Sequence, residues 1–172
     1  MSPSDAPSTV ALRPVVDADT DLLRRIYRDT RDDVAALPWA DAQKDEFVDA
    51  QFRAQAADYA QRFAAAEHSI VLVDDRPVGR IWVDRRPDEI RLLDVALLAA
   101  HRNRGTGSEL IGRLIAEAGR AGVPLRHSVF VDNADALRFY RRLGFVVIED
   151  FGMYVLMELA PVTPEAPLSS AG

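Results

Sequence analysis

The N-terminal third of the chain combines one short strand pattern with two helical patterns. Residues 9–13 alternate as a strand does, and Pro14 either ends that strand or marks it as an edge strand. Apolar side chains then recur at helical spacing in two segments, for which Asp17 and Asp41 are the predicted N-caps. The tripeptide Leu37-Pro38-Trp39 separates the two segments. This third of the chain therefore predicts a strand followed by two helices, the second of them longer and rich in aromatic residues.

Strand patterns dominate the rest of the chain, interrupted by two more helical patterns. Turn-forming residues separate the segments. The predicted elements are strands at 68–73, 78–83 and 89–98, a helix at 108–121, a strand at 125–131, a helix at 134–143, and strands at 145–148 and 154–159. The resulting order, β-α-α-β-β-β-α-β-α-β-β, predicts an α/β fold built on a mixed central sheet.

The two ends of the chain differ in composition from its middle. Residues 1–8 are rich in Ser and Pro, as are residues 160–172, and such segments bury too little apolar surface to fold. We therefore predict disordered ends around a single domain at 9–159. No apolar run approaches the roughly 20 residues of a membrane span, and no signal-peptide pattern opens the chain. These features predict a cytoplasmic protein without a membrane partner.

Charge and residue usage exclude several classes of function. The net charge of −6 argues against a nucleic-acid binder, which needs a basic face to neutralise phosphates. Residues 101–145 nevertheless contain eight arginines and four acidic residues, which suits a locally bound anion or, alternatively, a solvated helix face. The chain has no cysteine, and its three histidines lack metal-ligand spacing, so we expect neither disulfides nor a metal.

A glycine-containing turn, Arg102–Gly107, connects the strand at 89–98 to the helix at 108–121. Such a turn directs backbone N–H groups and the positive end of the helix dipole toward one point, where a phosphate binds well. Gly105 and Gly107 let an anion approach the backbone. An ordinary tight turn is the alternative. A dinucleotide fingerprint would need glycine at Leu110, and the Walker Gly-Lys-Ser/Thr sequence is absent.

Two motifs in this order resemble the GNAT superfamily of N-acyltransferases. The first is Arg-x-x-Gly-x-Gly at 102–107, and the second is Asn-x-x-Ala-x-x-x-Tyr-x-x-x-Gly-Phe at 133–145. The resemblance implies a GNAT-like fold, with a mixed, mostly antiparallel central sheet and helices on both faces. It also implies an enzyme that uses acetyl-CoA as co-substrate.

The resemblance implies a set of cofactor-binding residues. The pyrophosphate would lie on the backbone of the turn, and the pantetheine arm would pair with the end of the central strand. Asn133 matches a position that contacts the cofactor in the family, although it also suits an ordinary helix cap. The implied set is Val95, Ala96, Leu97, Arg102, Arg104, Gly105, Thr106, Gly107, Ser108, Asn133 and Tyr140.

Acetyl transfer to an amine needs a proton donor for the leaving thiolate and a way to deprotonate the amine. The resemblance gives Tyr140 the donor's role, because a phenol with a pKa of about 10 is protonated at neutral pH. The alternative is that Tyr140 is a core aromatic; against it, the neighbouring Phe139 could fill the core while Tyr140 faces the cofactor. Asp94, a lone acid in an apolar strand, and Glu89 are the candidate bases. Many relatives carry a glutamate where this chain has residues 127–130, so His127 is considered as a substitute.

The acceptor is the least specified part of the prediction. Trp39, Phe47 and Glu89 are predicted to contact it, with Phe52 and Tyr59 as further wall candidates, although aromatics at helical spacing also suit a core. The acceptor is a small-molecule or peptide amine, and no motif specifies or excludes a homodimer. Two other functions stay open: a catalytically silent acyl-CoA-binding or regulatory module on the same fold, and a nucleotide-phosphate binder.

Overall fold

The structure, a computed structural model, describes residues 8–161. Its strands are β1 (Val10–Pro14), β2 (Glu67–Val73), β3 (Arg76–Arg85), β4 (Ile90–Leu97), β5 (Leu125–Phe130), β6 (Val146–Asp150) and β7 (Tyr154–Leu159). Its helices are α1 (Thr20–Arg28), α2 (Asp32–Ala35), α3 (Asp41–Arg62), α4 (Thr106–Ala121) and α5 (Ala134–Arg142). The predicted disordered ends lie outside the described residues, apart from Ser8, Ala160 and Pro161.

The seven strands form one sheet in the order β1-β2-β3-β4-β5-β7-β6. Antiparallel pairing joins β1 to β2, β2 to β3, β5 to β7 and β6 to β7. The predicted α/β fold with a mostly antiparallel sheet is therefore confirmed, and so is the order of the predicted elements. The structure adds one short helix, α2, in the segment that the sequence pattern left as a break between the two predicted helices.

The predicted helix caps at Asp17 and Asp41 are wrong. Asp17 opens a short 3₁₀ turn, and Ala40, not Asp41, occupies the N-cap position of α3. Asp19, at the end of that 3₁₀ turn, is the acid whose carboxylate makes the contacts there. It pairs with Arg13 at 2.7 Å and accepts the N–H of Val16 at 2.9 Å. The Arg13 pairing and then the Val16 bond lower the pKa of Asp19 to about 2. Arg13 belongs to β1, so this contact joins two elements, and a pattern within one element does not predict it.

The described chain divides into two compact units, residues 8–85 with 92–111 and residues 86–91 with 112–161. In the first unit, α1, α2 and α3 bury apolar side chains against β2. That core consists of Leu23, Tyr27, Val34, Val48, Phe52 and Ile70. Burying one such side chain contributes about 1.5–3 kcal/mol, so this cluster anchors the helices to the sheet. Phe52 is thus a core residue, as the alternative interpretation of the aromatic pattern held.

The second unit has its own buried residues on α4, β5, α5 and β7. They include Leu114, Ala118, Leu125, Val129, Tyr140, Val155, Leu156 and Met157. The helix predicted at 108–121 is confirmed as α4, and along it Leu114 and Ala118 are buried and Ile115 is half-buried. Strand β6 lies at the end of the sheet, and all of its residues are exposed.

Gly79 on β3 lies directly against the backbone of β4. A Cβ atom at this position would overlap the carbonyl oxygen of Ala96 and the side chain of Leu97. We expect Gly79→Ala to lower the free energy of unfolding by about 1–3 kcal/mol, because the two strands would have to move apart. Gly119→Ala is the matched control, since nothing lies within 4 Å of the added atom on α4. Alanine there should stabilise the helix by about 0.5–1 kcal/mol. Urea unfolding compares the two variants, and a Gly79→Ala protein as stable as the wild type would contradict the close packing.

Candidate active site

The turn Arg102–Gly107 has the backbone geometry of an anion-binding loop. It follows the end of β4 and passes directly into α4, with positive φ angles at Asn103 (57°) and Gly105 (86°). A Cβ atom added at Gly105 or Gly107 would meet no other atom within 4 Å, so the space in front of both glycines is open. The first turn of a helix leaves backbone N–H groups without helical partners. An anion such as a pyrophosphate therefore fits this turn.

Arg104 supplies a positive charge beside the turn. Its side chain is exposed, and the structure gives it no ion pair or hydrogen bond among the described residues. It borders a cavity of about 450 Å³, together with Arg76, His101 and Thr106. A cation without a protein partner next to the helix N-terminus favours binding of a negatively charged group.

Arg102 has a different set of contacts from Arg104. Its Nε donates to the carbonyl of Leu97 at 3.0 Å, and its Nη2 donates to the carbonyl of Asp29. The Asp29 carboxylate also accepts the backbone N–H of Ala99 at 3.1 Å. These bonds connect the end of β4 to the end of α1 and hold the entry to the turn. Its predicted contact with the cofactor stays a prediction.

Asp94 pairs with a deeply buried arginine in the first unit. Its Oδ2 accepts from the Nε of Arg80 at 2.8 Å, and the side chains are 22% and 2% exposed respectively. Arg80 also donates to the Oε1 of Gln55 at 2.8 Å, and its guanidinium lies 5.5 Å from the ring centre of Tyr27. Asp94 is therefore the partner of a buried arginine. Its role as a base stays a prediction.

Two aromatic rings lie on neighbouring strands in the same unit. His68 and Trp82 face each other across β2 and β3, with their rings parallel and their centres 4.1 Å apart. Neither the Nε2 of His68 nor the Nε1 of Trp82 has a hydrogen-bond partner among the described residues. Burial, followed by the charge of Arg80, lowers the pKa of His68 to about 4, so this ring is neutral at neutral pH. Tyr59 packs edge-on against Trp82 and donates its hydroxyl to the carbonyl of Leu93 at 3.2 Å.

Trp39 and Phe47 form an exposed aromatic pair. Their rings meet edge to face with centres 5.4 Å apart. With Gln43, Glu46 and Ala50, they line a surface groove of about 400 Å³. Both side chains are exposed, so the core interpretation does not apply to them. Their predicted contact with an acceptor stays a prediction.

In the second unit, Tyr140 belongs to a buried aromatic cluster around α5 and β5. Its side chain is 4% exposed, and its ring centre lies 4.8 Å from that of His127 and 5.3 Å from that of Phe145. Phe139 is only half-buried, so the expectation that Phe139 fills the core in place of Tyr140 is wrong. The reason is packing, because α5 turns Tyr140 toward Phe145 and β5. The proton-donor role of Tyr140 stays a prediction.

Asn133 caps helix α5. Its side-chain Oδ1 accepts the backbone N–H of Ala136 at 3.0 Å, which satisfies one of the unpaired donors of the first helical turn. The cap interpretation is therefore confirmed. That bond uses the amide oxygen and leaves the amide nitrogen for another acceptor, so a contact with the cofactor stays a prediction.

Glu89 is held by arginines of its own unit. Its side chain is buried, its Oε2 accepts from Arg126 at 2.9 Å, and its Oε1 lies 3.5 Å from Arg86. Arg126 also donates to Glu158 at 2.7 Å. The bonds to Glu158 and then Glu89 raise the pKa of Arg126. The sequence analysis missed both Arg80 and Arg126. For Arg80 a signal was present, because it lies within the apolar run at 78–83 of β3, whereas Arg126 is followed on β5 by two more polar residues and gives no such signal.

Two features of the described part of the chain bear on the remaining predictions. No helix among these residues is both long and apolar enough to cross a membrane. No three His, Cys, Asp or Glu side chains of residues 8–161 come together as metal ligands. The expected absence of a metal stays a prediction.

The sequence also matches a known family. Residues 23–145 match the family model described as the acetyltransferase (GNAT) family. The chain belongs to the GNAT family. The match covers the turn at 102–107 and the motif at 133–145, so the family and enzyme class predicted from these two GNAT motifs are confirmed. No curated protein matches the sequence.

Solved GNAT structures share the fold at low sequence identity. The PaiA N-acetyltransferase of Thermoplasma acidophilum, in complex with coenzyme A, is 16% identical with a TM-score of 0.67, covering 88% of this chain and 99% of its own. An acetyltransferase of Thermus thermophilus is 20% identical with a TM-score of 0.65, covering 88% and 97%. The ribosomal-protein-S18-alanine N-acetyltransferase of Escherichia coli is 18% identical with a TM-score of 0.62, covering 91% and 97%. At these identities the likeness concerns the fold alone.

Proposed function

We propose that this GNAT-family protein transfers an acetyl group from acetyl-CoA to an amine of a small molecule or peptide. The observation that carries the proposal is the geometry of the turn at 102–107. The space in front of Gly105 and Gly107 is open and lies at the first turn of α4. Arg104 lies beside it and has no ion-pair partner among the described residues. Membership of the GNAT family supports acetyl-CoA as the anion bound by this turn.

The proposed cofactor contacts follow the chain's own donors and acceptors. Backbone N–H groups of residues 104–108 would hold the pyrophosphate, and Arg104 would balance its charge. The end of β4, at Val95, Ala96 and Leu97, would pair with the pantetheine amides, and the amide nitrogen of Asn133 would donate from the start of α5. When bound, acetyl-CoA supplies a thioester that an amine can attack.

We propose that Tyr140 gives its proton to the departing thiolate. In water a phenol has a pKa of about 10 and a thiol a pKa of about 8.5, so proton transfer between two such groups costs only about 2 kcal/mol. For the amine's proton, Asp94 and Glu89 are the carboxylate candidates, and each is paired with an arginine in the structure. We therefore propose that the amine reacts in its neutral form and that water takes up the proton.

A silent acyl-CoA-binding module is the second candidate. The pairing of both candidate carboxylates with arginines favours it, because each carboxylate already has a cationic partner. The two candidates differ in turnover. Acetyl-CoA consumption with thiol release in the presence of an amine or peptide panel supports the enzyme, whereas tight cofactor binding without thiol release for any acceptor supports the silent module.

Gly107→Glu tests the cofactor site itself. The variant places bulk and negative charge in the open space of the turn, so we expect acetyl-CoA affinity to fall more than about tenfold, or about 1.4 kcal/mol. Gly119→Glu is the matched control, because it adds the same side chain to open space near the other end of α4 and should bind as the wild type does. Calorimetric titration measures both. Equal affinity for the two folded variants would place the cofactor elsewhere.

A further inference from the structure

Arg91 is a partly buried arginine with few close partners. Its side chain is 25% exposed, yet its two polar contacts among the described residues are long: 3.4 Å from Nη2 to the Oγ of Ser128, and 3.7 Å from Nη1 to Glu89. A guanidinium offers five N–H donors and stays charged at every physiological pH. Most of the donors of Arg91 therefore lack an acceptor within this part of the chain, and none of its nitrogens is both fully buried and unpaired, so these donors stay open to a ligand.

The neighbouring carboxylate of Glu89 does not provide a close acceptor for Arg91. Glu89 gives its short contact, 2.9 Å, to Arg126, and its other oxygen lies closer to Arg86 than to Arg91. Glu158 in turn accepts from Arg126 at 2.7 Å. The acids beside Arg91 are thus engaged by other arginines. An additional anion would complete the hydrogen bonding of Arg91.

The surface next to Arg91 changes from polar to aromatic along β5. Ser128 and Phe130 are two positions apart on the strand, so they face the same side, and both are exposed. Tyr154 is the cross-strand partner of Phe130 on β7, and their ring centres are 5.4 Å apart. The spacing of about 3.3 Å per residue puts the aromatic pair about 7 Å beyond Ser128. A cation, a hydroxyl and two exposed rings follow one another on this face of the second unit.

We propose that Arg91 and Ser128 bind the carboxylate of the acceptor, and that Phe130 and Tyr154 contact its apolar side chain. The acceptor class is then a carboxylated amine such as an apolar α-amino acid, an assignment that rests on the proposed acetyl transfer. One guanidinium and one hydroxyl match the single negative charge and two oxygens of a carboxylate. The adjoining rings match an apolar group held about one side chain away.

Binding of a product analogue tests the site without requiring catalysis. N-acetyl-L-phenylalanine and its uncharged amide differ only in the group that Arg91 would bind, and calorimetric titration compares them. We expect the wild type to bind the acid at least about tenfold more tightly than the amide, because a hydrogen bond to a charged group is involved. Arg91→Met should remove this preference, and Arg91→Lys, which keeps the charge without the fork, should reduce it. Arg120→Met, an exposed arginine of α4, is the control that should keep it.

The binding experiment tests the carboxylate site at Arg91 independently of whether acetyl transfer occurs. A preference for the acid that depends on Arg91 supports the site even if no amine is acetylated, a result that would contradict the proposed function alone. Equal binding of the two compounds, no binding of either, or a preference that persists in Arg91→Met would overturn the site. Acetylation of phenylalaninamide in preference to phenylalanine would overturn it too, while supporting the proposed function.

Discussion

Asp94→Asn is expected to lower the free energy of unfolding by about 3–5 kcal/mol, the usual cost of removing one partner of a buried ion pair. The variant keeps the shape of the side chain but leaves the guanidinium of Arg80, which is 2% exposed, with a neutral partner. Among the described residues, Gln55 remains as a hydrogen-bond partner of Arg80, and its neutral amide oxygen does not balance the buried charge. Urea unfolding followed by circular dichroism measures the loss.

Two controls separate charge burial from a general effect of substitution. Asp58→Asn removes an acid from an exposed pair with Arg62 on α3, and we expect a change below about 0.5 kcal/mol there. The double variant Arg80→Met/Asp94→Leu replaces both charges with apolar groups and should recover much of the lost stability. A stable Asp94→Asn protein whose kcat/KM for acetyl transfer falls would contradict the structural interpretation and restore Asp94 as a candidate base.

The fold was largely predictable because its signals are local. Period-two and helical patterns gave the order of the elements, and the turn at 102–107 was recognisable because its anion-binding geometry depends on a few consecutive residues. The caps at Asp17 and Asp41 were wrong for the opposite reason. The carboxylate that matters near the first of them, Asp19, pairs with Arg13 on another element, and the sequence does not state which elements meet.

The sequence could not predict which side chains pair with one another in the candidate site. Asp94 was recognised as an unusual acid, and Arg80 is an equally unusual cation within the apolar run of β3. Pairing them requires the register of two strands, which follows from tertiary packing. The same limit applies to Glu89, which attracted attention as an acid although Arg126, 37 residues away, engages it.

Tyr140→Phe is expected to lower kcat about 100-fold or more while acetyl-CoA affinity stays the same, if the hydroxyl protonates the leaving thiolate as we propose. The aromatic contacts with His127 and Phe145 need only the ring, so phenylalanine preserves the packing of this 4% exposed side chain. The variant thus removes one hydroxyl from the cluster. Steady-state kinetics with an acceptor found in the amine panel gives kcat, and calorimetry gives cofactor affinity.

Tyr27→Phe is the matched control, since it removes a buried tyrosine hydroxyl that accepts from Arg31 at 3.2 Å in the first unit. We expect its kcat to equal that of the wild type. Melting temperatures of both variants must accompany the kinetics, because loss of a buried hydrogen bond alone costs about 1 kcal/mol. Equal kcat for Tyr140→Phe and the wild type would mean that the thiolate leaves without help from this residue. Tyr140 would then be a core aromatic, and the proton donor would have to be another group or water.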